Sequence, residues 1–155
     1  MPIDLDLNAC IANVAAIVKA TWNVTTAIHE TGMKAQITAN KFPFAAIDFE
    51  PVQLTRGGQG VTDVRWDMPI RVTWCMATTA GTKDMDQARA KCSALVKALL
   101  ADDQLANGGA VTCSRIAEIA INFSGSDRFL ALCLAREWPA VGASVEFTAI
   151  GIEKP

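Results

Sequence analysis

The sequence predicts an α+β fold, a single mostly antiparallel sheet of about four to six strands with two helices packed on one face. Three observations lead there. Apolar residues recur every three to four positions in two separate stretches, near 6–21 and 83–101. Elsewhere they recur every second position, most clearly over 61–78 and 111–123. The resulting order, α, β, β/β, α, β, β, β, groups the strands into one sheet on which two amphipathic helices dock.

Each element has its own reasons. In the first helix Leu7, Ile11, Val14 and Val18 mark one face, flanked by Cys10 and Ile17. Asp4 and Asp6 stand before it, where a carboxylate can cap the open N–H groups. Residues 22–42 favour neither helix nor strand, Gly32 breaks any long element, and Pro43 ends the stretch. FAAIDFE at 44–50 reads as a short strand closed by Pro51. RGGQG at 56–60 cannot hold regular structure, since glycine loses the most chain entropy on ordering.

Trp66, Met68, Ile70, Val72, Trp74 and Met76 then share one face of a strand or a bent pair of strands, with Arg65, Arg71 and Thr73 on the other. Pro69 argues for an edge, an entry point or a bulge. The second helix opens with Thr82 as expected N-cap and Asp84 and Asp86 near its positive end. Its stripe is Met85, Ala88, Cys92, Leu95, Val96 and Leu99, with Lys83, Gln87, Lys91 and Lys97 away from it. Burying one such Leu is worth about 2 kcal/mol, which drives the helix onto the sheet. DDQLANGG, with Asn107, Gly108 and Gly109, stops it. Three strands are expected after that. The first runs over 111–123 with Ala117, Ile119, Ile121 and Phe123 on one face; a GSD turn at 125–127 leads to the second, 128–138; the last is 145–152. In 128–138, Leu130, Leu132 and Leu134 face one way and Phe129, Ala131 and Cys133 the other, so this strand is central or covered by another chain.

Composition narrows the function. The 155 residues fit one domain, 1–155, and 51% hydrophobic against 19% charged residues exclude intrinsic disorder. A net charge of −2 offers no basic excess for generic nucleic-acid or acidic-membrane binding. MPIDLDLN carries acids where a signal peptide needs bases, and no window of 18 apolar residues occurs, so synthesis in the cytosol is expected. Cys10, Cys75, Cys92, Cys113 and Cys133 form no CxxC pair and read as buried, reduced thiols.

No constellation for catalysis, metal or cofactor is found. His29, in AIHETG, reads as a surface or loop histidine, although with Glu30 or Asp48 it could serve as a base. HExxH, DxDxDG and GxSxG are all missing, and RGGQG lacks the Lys-Ser/Thr of a phosphate loop. Asp48 and Glu50 share a strand face that is expected to be solvated. Trp66 and Trp74 read as core. Trp138, beside Arg136, is an interface candidate, because Trp and Arg are enriched where proteins meet. LALCLA at 130–135 is an aggregation hazard if left open, and a closed ring of copies would cover it.

Taken together, the helix at 6–21, FPFAAIDFEP at 42–51, the glycine loop at 56–60, DMPIRVTWCM at 67–76, the helix at 83–101 with its DDQLANGG ending and the paired strands at 111–138 carry a resemblance. In order and spacing the chain resembles the tail terminator (tail completion) proteins of long-tailed bacteriophages, the lambda-like minor tail protein family. The stretch 22–42 and the strand 145–152 depart from that pattern.

The resemblance implies a non-enzymatic virion protein without cofactors, made in the host bacterial cytoplasm. It implies a homo-oligomeric ring, usually a hexamer, at the head-proximal end of the tail tube. The ring would stop polymerisation of the tube protein and offer the head-completion or connector protein a surface in the neck. Weak single contacts would add up through avidity. On that reading Arg56, Gly57, Gly58, Gln59 and Gly60 lie at an inter-ring or lumen contact, and Arg65, Arg71, Arg136 and Trp138 are further interface residues. Three alternatives stay open: a connector ring, a small oligomeric ligand-binding domain, and an enzyme using His29.

Overall fold

Residues 6–24, 27–29, 43–56, 63–77, 82–122 and 140–153 are described by a computed structural model. The expected turn at 125–127 and strand at 128–138, with LALCLA, Cys133, Arg136 and Trp138, lie outside these residues, as do Gly57–Gly60.

The first helix, α1 (Leu7–Trp22), starts where Asp6 caps it: Asp6 Oδ1 accepts the Ala9 N–H at 3.0 Å. It ends at Asn23 in the left-handed region, φ 51°. Its buried line is Cys10, Val14, Ile17, Val18 and Trp22, while Leu7 and Ile11 are only half-buried, a small rotation from the expected face. The second helix, α2 (Thr82–Ala101), buries Ala88, Cys92, Leu95 and Leu99 fully, with Met85 and Val96 at the margin, as its stripe predicts. Thr82 is already its first helical residue. Lys91 does not turn away as expected: its Nζ sits 4.9 Å from the Trp74 ring centroid, where the ring face attracts a cation.

Among the described residues six strands form one sheet: β1 (Ala27–His29), β2 (Phe44–Phe49), β3 (Gln53–Arg56), β4 (Val64–Ala77), β5 (Arg115–Asn122) and β6 (Ala140–Glu153). The order is β1-β2-β4-β6-β5, with β3 on the β4 edge that β2 leaves free. Only β1–β2 is parallel among the described pairs. The fold is therefore α+β, with both helices on one face.

The centre of the sheet is the β4–β6 pair, in register from Val64↔Glu153 to Ala77↔Ala140. On the helix side, large residues of β4 face small ones of β6: Trp66 opposite Gly151, Met68 opposite Ala149, Trp74 opposite Ala143. A Cβ on Gly151 would collide with the Trp66 indole ring. Trp66, Met68, Ile70, Val72, Trp74 and Met76 are all buried against the helices, as the alternation predicts.

Five features correct the expectations. Pro69 lies in the middle of a central, continuous strand. Its C=O accepts the Glu50 N–H at 3.0 Å, so its nitrogen faces the same way, into the gap between β2 and β3 where no ladder bond is lost. The closing strand is longer than predicted and central, and an unpredicted edge strand, β3, includes Arg56, the first residue of RGGQG. In β5 the ladder slips between Ala117 and Ala120, with Glu118 at φ 56°. This bulge shifts the phase, so Ile116 and Ile119 face the core while Ala117 leaves it and Ile121 stays 38% exposed. Finally, His29 is a strand residue, in register with Ile47.

The helices are tied to each other and to the sheet by side chains. Trp22 Nε1 donates to the Lys91 carbonyl at 2.7 Å and its ring meets Trp74 edge-on, centroids 5.5 Å apart. DDQLANGG does more than stop α2. Asp102 accepts the N–H groups of Ala106 (2.9 Å) and Asn107 (2.7 Å), and Leu105, at φ 49°, inserts fully into the core. The Leu105 carbonyl takes Asn13 Nδ2 at 2.8 Å and Thr112 Oγ1 at 2.9 Å, fastening α1 to this turn.

Gly151→Ala forces the Trp66 ring out of its seat. Overpacking of this kind costs about 1–3 kcal/mol, so urea denaturation should show a lower midpoint with little change in slope.

Candidate interaction surface

The reverse face of β4 presents Arg65, Asp67, Pro69 and Arg71, with Glu146, Thr148 and Ile150 beside them on β6. Arg71 stands directly opposite Glu146 and donates from Nε to Oε1 at 2.8 Å. Arg65 donates from Nε to Asp67 Oδ1 at 2.8 Å, and the neighbouring carboxylate raises the guanidinium further above its usual range. Both pairs are about one-third or more open to water on one or both partners, so each adds little to stability.

The bulge of β5 brings Glu118 onto this same face, where Thr148 Oγ1 donates to its Oε2 at 3.3 Å. Glu50 joins from the link between β2 and β3. Two shallow grooves result, about 170 and 210 Å³, which share Pro69, Glu118 and Thr148. At the far end the same face is closed to water: Phe44, Ala46, Thr73, Cys75 and Ser144 are buried, and Thr73 and Ser144 share a 2.8 Å hydroxyl hydrogen bond. Asp48, expected on a solvated face, is buried at 3% exposure in register with Arg71, which places a cation opposite its carboxylate.

The named arginines are thus divided. Arg65 and Arg71 share the grooved face, about 20 Å apart at 3.3 Å per residue. Arg56 ends β3, exposed, opposite Val64, so its register puts it on the helix side with Leu54 and Trp66. Reasoning from sequence missed Glu118 and Glu146. The polar run Ser144, Glu146, Thr148 was a readable signal for the second; nothing in the alternation of 111–123 announces the bulge that aims the first.

A larger cleft, about 620 Å³, lies between the start of α1, the 106–114 segment and the end of β6. Its polar groups are committed to the fold: Asp6 caps α1, Asn13 holds Leu105, and Ser114 Oγ accepts the Ile152 N–H at 3.0 Å. Among the described residues no group of three or more His, Cys, Asp or Glu is arranged to hold a metal ion, and no helix is long and apolar enough to cross a membrane.

Cys10, Cys75, Cys92 and Cys113 are buried free thiols, while Cys133 lies outside the described residues. Burial pushes Cys92 up to about 11 and Cys113 up to about 12, from an ordinary 9.0. Burial raises Cys10 as well, against a hydrogen bond with Thr112 that lowers it. Such thiols stay protonated and are poor nucleophiles.

Compared with known proteins, the sequence matches no protein-family model, and no curated protein is significantly similar to it.

The raised thiols have a pH signature. An unfolded chain releases these protons above pH 9.0 and the folded one holds them, so their contribution is complete below that pH and is lost as pH rises through about 11 to 12. Denaturation midpoints followed from pH 8 upward should fall accordingly, and at pH 8 a thiol reagent should reach these four cysteines only on unfolding.

Proposed function

We propose that this protein is a structural subunit of the phage tail terminator type. It forms a ring, usually six-fold, on the head-proximal end of a tail tube, stops addition of tube protein and presents a surface to the head-completion or connector protein in the virion neck. The sequence resemblance supplies the family. The observation that carries the reading is β3. All four residues of this edge strand are exposed, Leu54 to 62%, and it ends in Arg56, next to the glycine loop 57–60. An edge strand with an open apolar side chain is a liability for a solitary molecule and an asset for one that assembles. The grooves on the sheet are shallow and their arginines are already paired with carboxylates, which suits contact with another protein better than capture of a small molecule.

The mechanism is geometric. Each subunit offers the same surface to one tube end, and several weak contacts held in a ring act together. The glycine-rich stretch beyond Arg56 takes part in the contact.

Deleting residues 57–60 should leave circular dichroism and the thermal midpoint close to wild type, because the β3–β4 and β4–β6 ladders remain. Complementation of a terminator-defective phage should then yield heads and tails that fail to join. Infectious particles at normal titre would overturn the reading. Electron microscopy of purified tubes mixed with the protein should show annuli at one end; co-sedimentation with DNA-filled heads instead would place it with the connectors.

A further inference from the structure

We infer that Asn107–Gly108, in the turn after α2, is a site of spontaneous deamidation, and that the Asp102 carboxylate sets its rate by holding the turn closed. The inference stands apart from the terminator reading and does not depend on ring formation.

Of the six asparagines in the chain, only Asn107 precedes a glycine. A glycine successor has no side chain to shield its amide nitrogen. Both residues are exposed, and the space into which a Gly108 Cβ would point is open. Among the described residues the Gly108 N–H has no acceptor and the Asn107 carboxamide makes no hydrogen bond. The reaction needs no other group than these and water. The Gly108 nitrogen attacks Asn107 Cγ. The N–Cγ bond forms, the Cγ–Nδ2 bond breaks, and the Gly108 amide proton leaves with the carboxamide nitrogen as ammonia. Water then opens the cyclic imide at either carbonyl, giving aspartate or isoaspartate.

The closed turn opposes that attack. The Ala106 carbonyl accepts the Gly109 N–H at 2.9 Å, and the residues between are left-handed, Asn107 at φ 47° and Gly108 at φ 78°. Left-handed backbone brings Cβ against the residue's own carbonyl oxygen, so the next amide nitrogen lies on the far side from the side chain. Ring closure therefore waits for the turn to open. Asp102 holds it shut: Oδ1 accepts the Ala106 N–H at 2.9 Å and Oδ2 the Asn107 N–H at 2.7 Å. An exposed turn opens locally far more often than the whole chain unfolds, and those openings set the rate.

The products loosen this corner of the molecule. A new carboxylate at 107 arises close to that of Asp102, whose Oδ2 already holds the same residue's N–H. Isoaspartate also lengthens the backbone by a methylene within 106–109. The residues just before are the anchor of α1: the Leu105 carbonyl takes Asn13 and Thr112, and the Gln104 carbonyl accepts the N–H groups of Thr112 and Cys113. Asn107 lines both the cleft of about 620 Å³ and a groove of about 540 Å³ between α1 and α2, so the new charge appears on two surface depressions at once.

The full chain is incubated folded in mildly alkaline buffer, beside the same chain in urea, and peptide mapping by mass spectrometry follows residue 107. The folded chain should convert at least about ten-fold more slowly than the unfolded one, since only open turns react. Asp102→Ala, shown folded by circular dichroism, should convert at least about ten-fold faster than wild type, because hydrogen bonds to a charged group are lost. Asp102→Asn keeps one acceptor oxygen and should fall between, and it carries the test if the alanine variant does not fold. In the converted fraction, isolated by ion exchange, the Thr112 and Cys113 amides should exchange hydrogen faster than in the unconverted one. Equal rates folded and unfolded, Asp102 variants no faster than wild type, or a folded wild type with no conversion over several weeks overturns the assignment. Unchanged amide exchange in the converted fraction overturns the loosening of the α1 anchor.

Discussion

The fold rests on the packing between β4 and β6. Their fourteen-residue ladder is the longest pairing in the sheet, and its helix side works by size matching: the indole of Trp66 over Gly151, Met68 against Ala149, Trp74 against Ala143. A flat array of large side chains on both strands would hold the helices away from the sheet. Placing a small partner opposite Trp66, Met68 and Trp74 lets these side chains lie down across the neighbouring strand and, with the Ile70–Phe147 and Val72–Val145 pairs between them, give α1 and α2 a continuous apolar floor. Among the described residues the buried indole N–H groups of Trp66 and Trp74 have no hydrogen-bond acceptor, a cost of about 1–3 kcal/mol apiece by the usual desolvation scale. The area those rings bury, and for Trp74 the cation of Lys91, offset it.

From that floor the rest follows. Trp22 reaches Trp74 and the Lys91 carbonyl together, so the end of α1 is positioned against β4 and α2 at once. Leu105 closes the opposite end of the helical layer, and its carbonyl is the point where Asn13 and Thr112 converge. Once the helix side is filled, the polar residues of β4 and β6 must stand on the reverse face, because alternate residues of a strand cannot share a side. Arg65, Arg71, Glu146 and Thr148 are gathered there by register, without any one of them being near another in sequence beyond its own strand.

What the molecule offers a partner is therefore surface. Its clefts are walled by groups that serve the fold, its buried thiols are protonated, and its open features are an edge strand with Leu54, a grooved face with Glu50 and Glu118, and a helix stripe with Lys97 and Leu100. Open features on both sides of one sheet suit a subunit that repeats. The proposed terminator role asks for the same thing: a piece that meets its own copies laterally and a different partner at the rim.

The amino-acid sequence by itself determined the two helices, the apolar face of β4, the extent of β2 and the α+β class, because those depend on local periodicity and on where glycine and proline interrupt it. It also carried Asp6 as a cap and the stop after Ala101, which act within one turn. Only the tertiary structure decided the matters that depend on a neighbouring strand. Pro69 looked like an edge residue until the gap between β2 and β3 met its nitrogen; Asp48 looked solvated until the sheet buried it with the half-buried Arg71 opposite in register. Glu118 belonged to no face until the slip at Ala117 turned its backbone left-handed and carried its carboxylate to Thr148. The candidate surface was half legible for the same reason: Arg65, Asp67 and Arg71 announce themselves by alternation along one strand and Glu146 by the polar run of another, whereas Glu50 and Glu118 reach the face through cross-strand register and a bulge, which leave no local trace in the chain.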